Sequence, residues 1–187
     1  DGVGLEHTCN RTTRLLNRPL DVTVTLEQLK TELHSWKSCR YGAGMREKRI
    51  GVDCINFSMA IMDFVDGNQT PIIKLPSLLG YSSRTEAIKA MKRTLKNFDH
   101  ETIDHTLVPS ILKPADCILM RDGQDPVHMG VVGYERGTMW HSTSLGILPG
   151  QSGVNCVSIQ LAIDKGIFRV WRLKSAKLGY ENDCRNI

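Results

Sequence analysis

The stretch Asp116–Ser142 reads D-C-I-L-M-R-D-G-Q-D-P-V-H-M-G-V-V-G-Y-E-R-G-T-M-W-H-S. Its β-type runs, Asp116–Met120, Val127–Tyr134 and Thr138–Ser142, are divided by the turn-rich R-D-G-Q-D-P and by E-R-G. Short runs of this composition between turn signals predict consecutive strands rather than a helix. Beyond a Gly-rich loop, Val154–Leu161 and a last run from Ile167 or Phe168 to Leu173 continue the pattern. The prediction is a meander of five strands.

Upstream the period changes from two to about 3.6. T-L-E-Q at Thr25–Gln28 is a capping box, and Leu26, Leu29, Leu33 and Trp36 recur at helical spacing, so a helix is predicted to about Ser38. A loop with three glycines, R-Y-G-A-G-M-R-E-K-R-I-G, leads to Val52-Asp53-Cys54. From Cys54 to Val65, Ile55, Phe57, Ala60, Ile61, Met62, Phe64 and Val65 cover most of a helical circumference, which describes a central helix buried nearly all round. S-R-T-E at Ser83–Glu86 opens a third, basic helix to about Phe98, with Lys89, Lys92, Arg93 and Lys96 on one stripe. Helices first and an antiparallel meander afterwards make an α+β domain with the helices on one side of the sheet. Residues 1–24 read as an arm or linker and 25–187 as the domain, with a helical insertion at about 80–106.

The chain has 187 residues, enough for a core without disulfide staples, and 24 Lys+Arg against 20 Asp+Glu leave a net charge of +4. The basic residues are scattered, which argues against a nucleic-acid partner. No run has the length of a transmembrane helix, and the chain starts at Asp without a signal-peptide pattern, so export information is expected to be absent or already removed. The six cysteines, at positions 9, 39, 54, 117, 156 and 184, form no CxxC pair and predict no zinc cage. Cys117 and Cys156 fall in strand-like runs and are expected to be buried thiols. Cys9 and Cys184, near the two ends, are free to pair with each other only if the fold brings their Cα atoms close enough, which the sequence leaves open.

Cys54 differs from the other cysteines because it opens a helix. Unpaired N–H groups and the helix dipole there favour a thiolate, so a lowered pKa is expected. A nucleophile also needs a base and a group that orients the base. Of six histidines, His7, His34, His100 and His105 lie on the arm, on a helix or in polar segments, whereas His128 and His141 each fall within a predicted strand. Adjacent strands across the E-R-G turn bring both imidazoles to one face.

The order G-V-D-C at a helix start, L-K-P-A-D before a strand, H-M-G-V-V in the next strand and a second strand histidine resembles the NlpC/P60 cysteine peptidases, over roughly Thr25 to Leu173. The resemblance implies a papain-like fold with Cys54 as nucleophile, His128 as base and His141 as orienting residue, and with Tyr41, Asp53 and Trp140 against the substrate. It implies no metal and no organic cofactor. The implied activity is hydrolysis of amide bonds in peptidoglycan stem peptides through a thioester, by a protein of the cell envelope, secreted or virion-associated, with bacteriophage tails as one setting. The N-terminal arm or the basic helix would carry any larger assembly. The alternatives are an amidase or acyltransferase of the same superfamily, or a non-catalytic wall-binding or tail-assembly module. Three positions depart from the family pattern. Ile55-Asn56 stands where Ser-Gly is usual, Ala115 replaces the glycine of L-x-P-G-D, and Cys39 stands for a tyrosine of the Y-x-Y-G-G stretch, where its thiol could pair with Cys54.

Overall fold

The computed structural model describes residues 23–67, 84–96, 98–104, 110–122, 125–144 and 152–179. Its elements run α1 (Leu26–Ser35), β1 (Arg46–Glu47), β2 (Gly51–Val52), α2 (Cys54–Val65), α3 (Arg84–Leu95), β3 (His100–Ile103), β4 (Cys117–Asp122), β5 (Asp125–Val132), β6 (Thr138–Thr143), β7 (Gly153–Ser158), α4 (Gln160–Lys165) and β8 (Ile167–Leu173). The class is α+β. The main sheet has six strands in the order β3-β8-β4-β5-β6-β7, each neighbouring pair antiparallel, beside the two-stranded β1–β2 hairpin.

Both helix starts follow from side-chain capping. At α1 the Thr25 hydroxyl accepts from Gln28 N–H and the Gln28 side chain accepts from Thr25 N–H, completing the predicted box. At α2 Asp53 is the N-cap, and the helix runs to Val65 before Gly67 adopts φ +69. Ten of the twelve α2 residues are buried, which fits the all-round apolar pattern. At roughly 1.5–3 kcal/mol per fully buried large apolar side chain, this helix dominates the core. The proposed cap at Ser83, residues 1–22 of the arm with Cys9, and Cys184 lie outside the described residues, whereas Val24, read as the end of the arm, is buried in the core.

Alternation along the strands sends the two faces of the sheet into different clusters. Cys117, Leu119, Met129, Val131, Trp140 and Trp171 pack with α1, α2 and the Met91 and Leu95 side chains of α3. Ile118, Met120, Val132, Met139 and Val170 pack with Ile159 and Ala162. Helices therefore cover both faces, not one. The reason is α4, a short helix that was hidden inside the apolar run read as strand through Leu161; it ends at Gly166, φ +86. The sixth strand, β3, comes from the segment read as helical insertion. Its four residues, H-E-T-I, are too few and too polar to carry a period, and pairing with β8 organises them instead. Lys89, Lys92 and Arg93 on α3 and Lys96 just past its end are all exposed.

The L-K-P-A-D turn has a structural task. Asp116, 1% exposed, accepts from the Arg172 guanidinium at 2.8 and 2.7 Å and from Lys113 N–H at 2.8 Å, and Arg172 also donates to Ile111 O. The carboxylate thus locks the turn before β4 to β8. Ala115 sits at φ +69, the left-handed region that favours glycine, at a cost of about 1 kcal/mol, while its buried methyl works the other way.

Candidate active site

Asp53 is the centre of a small buried network. One carboxylate oxygen accepts from Asn56 N–H at 2.7 Å, and the other accepts from the Asn56 amide at 3.0 Å and from Gly44 N–H at 2.7 Å. Gly44 holds φ +71, so the loop before β1 is fastened to the start of α2 through a backbone shape that suits glycine. Asn56 is 1% exposed and sits at N3 of the helix. Its side chain reaches back to the cap residue and so adds a support for Asp53.

The residue before Asp53 is held from two sides. Val52 O accepts from the Ser142 hydroxyl at 2.6 Å, across 90 residues of sequence, and Val52 N–H donates to Arg40 O at 3.0 Å. Tyr41 bridges to Val52, which places it beside the Asp53-Cys54 start of α2.

Cys54 is half-buried at the first position of α2. Burial pushes its thiol up to about 12 and the Asp53 carboxylate adds to the rise, against the N–H groups of Met129, Ile55 and Cys54 itself. The expected lowering by the helix terminus is therefore outweighed, because desolvation and an adjacent anion both disfavour the thiolate. Both influences favour the protonated thiol. The Met129 N–H that points at it belongs to the residue after His128, so the nucleophile candidate and β5 meet at one corner.

His128 and His141 come together as their spacing predicts. His128 Nε2 lies 2.6 Å from His141 Nδ1, with the rings nearly perpendicular at 83°. His141 is 6% exposed, and burial, with the Lys165 charge adding to it, lowers its pKa from 6.5 to about 4. A neutral His141 offers one ring nitrogen as acceptor. With Nδ1 in that role, His128 carries its proton on Nε2, and Nδ1 is the atom left to exchange a proton with a thiol.

The low His141 value links stability to pH. The unfolded chain takes up this proton more readily between pH 6.5 and about 4, so stability is complete above 6.5 and falls as pH drops through that window. The full effect is about 3 kcal/mol. Asp53 and Asp116, whose carboxyls burial pushes up, act in the opposite sense. The comparison is therefore parent against His141→Gln: urea midpoints from pH 7 to 4.5 should fall less in the variant. Parallel curves would show that His141 takes up its proton in the folded state at an ordinary pH.

The remaining expected site residues divide. Tyr41 and Asp53 lie at the corner, and burial together with the Cys54 and Asp53 charges raises the Tyr41 pKa. Trp140, 2% exposed, belongs to the core cluster with its ring 5.2 Å from that of His34 and has almost no surface to offer a substrate. Cys39 is buried and free, and its thiol donates to Glu47 O at 3.4 Å, so it forms no bond to Cys54. Cys117 is fully buried as expected, but Cys156 is exposed although it shares the face of Trp140 and Val154, because β7 is an edge strand of the sheet. Among the described residues no group of His, Cys, Asp and Glu could hold a metal ion, and no helix is long and apolar enough to cross a membrane.

Two supports were missed by sequence reasoning. Asn56 had a usable signal, three residues after the cap. Ser142 had none, since only the fold brings it to Val52. Compared with known proteins, the chain matches no family model and no curated protein.

Proposed function

We propose that the protein is a cysteine peptidase of papain-like, NlpC/P60 type that cleaves amide bonds in peptidoglycan stem peptides. The observation that carries this reading is the joint placement of Cys54 at a capped helix start, against the N–H that follows His128, with His128 bonded to a buried, neutral His141. In this mechanism His128 Nδ1 takes the Cys54 proton as the sulfur attacks the carbonyl. A thiol held near 12 requires that transfer to accompany attack rather than precede it. The Cys54 N–H, at the helix terminus, donates to the oxyanion. The imidazolium then protonates the leaving amine, and water activated by His128 releases the thioester. His141 stays neutral and holds the ring. The setting is the cell envelope, a secreted protein or a virion tail.

The high thiol pKa also suits a second reading, a wall-binding module that retains the fold without turnover. Mass spectrometry of purified wall fragments before and after incubation separates the two. New amine and carboxyl ends are expected with the parent, with a larger loss in His128→Ala than in His141→Gln, because the base moves protons while the orienting residue selects a tautomer. Fragments of unchanged mass would favour the module.

A further inference from the structure

Several cations of this chain are satisfied internally: Lys30, Arg46, Lys48, Arg172 and Lys174 each reach a carboxylate. The cations of α3 differ. Lys89, Lys92 and Arg93, with Lys96 just past the helix end, are exposed and have no carboxylate within ion-pair distance among the described residues. Spacings of three and four residues gather them into one row, which at 1.5 Å per residue runs for about 10 Å. Like charges at these spacings repel one another, and the only acid of the helix, Glu86, stands in its first turn, ahead of the row. The fold thus keeps a concentrated positive edge that nothing in the described chain neutralises.

The surroundings of the row narrow the kind of partner it fits. Met91 and Leu95, the buried side of α3, are 1% and 3% exposed and belong to the core, so the helix has no apolar side to sink into a bilayer as an interfacial helix does. The helix contains no aromatic residue on which a nucleic-acid base could stack. The row also lacks the aromatic or apolar anchor that dominates binding at protein–protein interfaces. What remains is attraction to a hydrated, flexible chain of fixed negative charges. Three of the four cations are lysines, whose ammonium groups bind phosphate as point charges without demanding one approach geometry.

We propose that the α3 row is a docking surface for a polymer of phosphodiester-linked polyols, a flexible chain with one permanent negative charge per repeat. Docking neutralises phosphates along the row, releases their counterions and holds the domain on any surface that carries the polymer. The inference is independent of Cys54, because a protein without turnover docks equally well.

Fluorescence anisotropy with an end-labelled poly(glycerol phosphate) of about ten repeats tests it. Four phosphates neutralised on a single-stranded polyanion give a slope of about −2.8 for log affinity against log salt, so binding should weaken roughly 50-fold between about 50 and 200 mM salt. In Lys89→Gln/Lys92→Gln/Arg93→Gln/Lys96→Gln the slope should approach zero, and affinity at the lower salt should drop by at least about tenfold. Lys30→Gln/Lys48→Gln/Lys174→Gln, which removes three cations that already have carboxylates, should stay within about threefold of the parent. Equal losses in the two variants would assign the binding to net charge and overturn the row, as would a parent slope near zero or a row variant that binds like the parent. Glutamine is a good helix former, and circular dichroism checks that the helix persists. Should the quadruple variant unfold, Lys89→Gln/Lys96→Gln, expected to lose about half the slope, takes its place. Competition at equal charge concentration decides the partner. Oligothymidylate, polyglutamate or anionic phospholipid vesicles that displace the labelled chain better than unlabelled poly(glycerol phosphate) does would put nucleic acid, an acidic protein or a membrane in its place and overturn the proposal.

Discussion

Cys54→Ala should abolish turnover of wall fragments, a loss of at least about a thousandfold, while leaving the melting temperature within a few degrees of the parent. The asymmetry follows from where the sulfur sits. A half-buried thiol at a helix start contributes roughly 1 kcal/mol or less of packing. Its removal also takes away the group whose ionisation Asp53 opposes. Labelling gives an independent check, but the exposed Cys156 must first be removed, because an accessible thiol on an edge strand competes for iodoacetamide without any role at the site. In Cys156→Ser, Cys54 should be modified ahead of the buried Cys39 and Cys117 in the native protein. Faster labelling of the fully buried Cys117, or turnover that survives Cys54→Ala, would remove the nucleophile assignment.

Arg172→Met should produce the largest loss of stability from a change away from the site, about 3–5 kcal/mol. The variant leaves the Asp116 carboxylate buried with Lys113 N–H as a donor but without its cation. Burial already pushes the Asp116 carboxyl up in spite of Arg172, so desolvation is the greater influence on this group and the charge alone is costly to keep. For a domain of this size the loss corresponds to a fall in melting temperature of roughly 6–20 °C. Arg172→Met/Asp116→Asn should recover part of it, since the amide needs no counter-charge. A single variant that melts with the parent would mean that water reaches Asp116, and no recovery in the double variant would point to lost packing of the Arg172 stem.

The comparison between sequence and fold turns on how local each signal is. Thr25 with Gln28, the apolar circumference of Cys54–Val65 and the strand alternation around His128 and His141 are short-range, so they were legible. The histidine pair is the clearest case at the site, because a strand, a tight turn and a strand fix which side chains share a face. β3 and α4 were missed because neighbours created them: β8 supplies the partner for a polar tetrapeptide, and the lower face of the sheet supplies the surface on which Ala162 packs. The same reasoning explains the thiol. Position at a helix start is written in the sequence, whereas desolvation and the charge on Asp53 depend on what the fold places around the sulfur. Trp140 and Cys156 are the reverse case: residue type suggested a role for each, but strand parity buries Trp140, and Cys156 on the same face is exposed because its strand is at the edge.

The bond between Ser142 and Val52 and the crossing of Cys39 over Gly153 also set a timetable. Cys54 leaves the ribosome well before the strands that complete its surroundings, by 104 residues when counted to the end of β7 at Ser158 (158 − 54). At about 5–20 residues per second that interval lasts roughly 5–20 s. For most of it the cysteine lacks His128 and His141, which follow it by 74 and 87 residues (128 − 54, 141 − 54), and until its end it lacks β7. On the proposed function, the candidate nucleophile would thus lack its partners until these strands have been made, a delay built into the order of the elements.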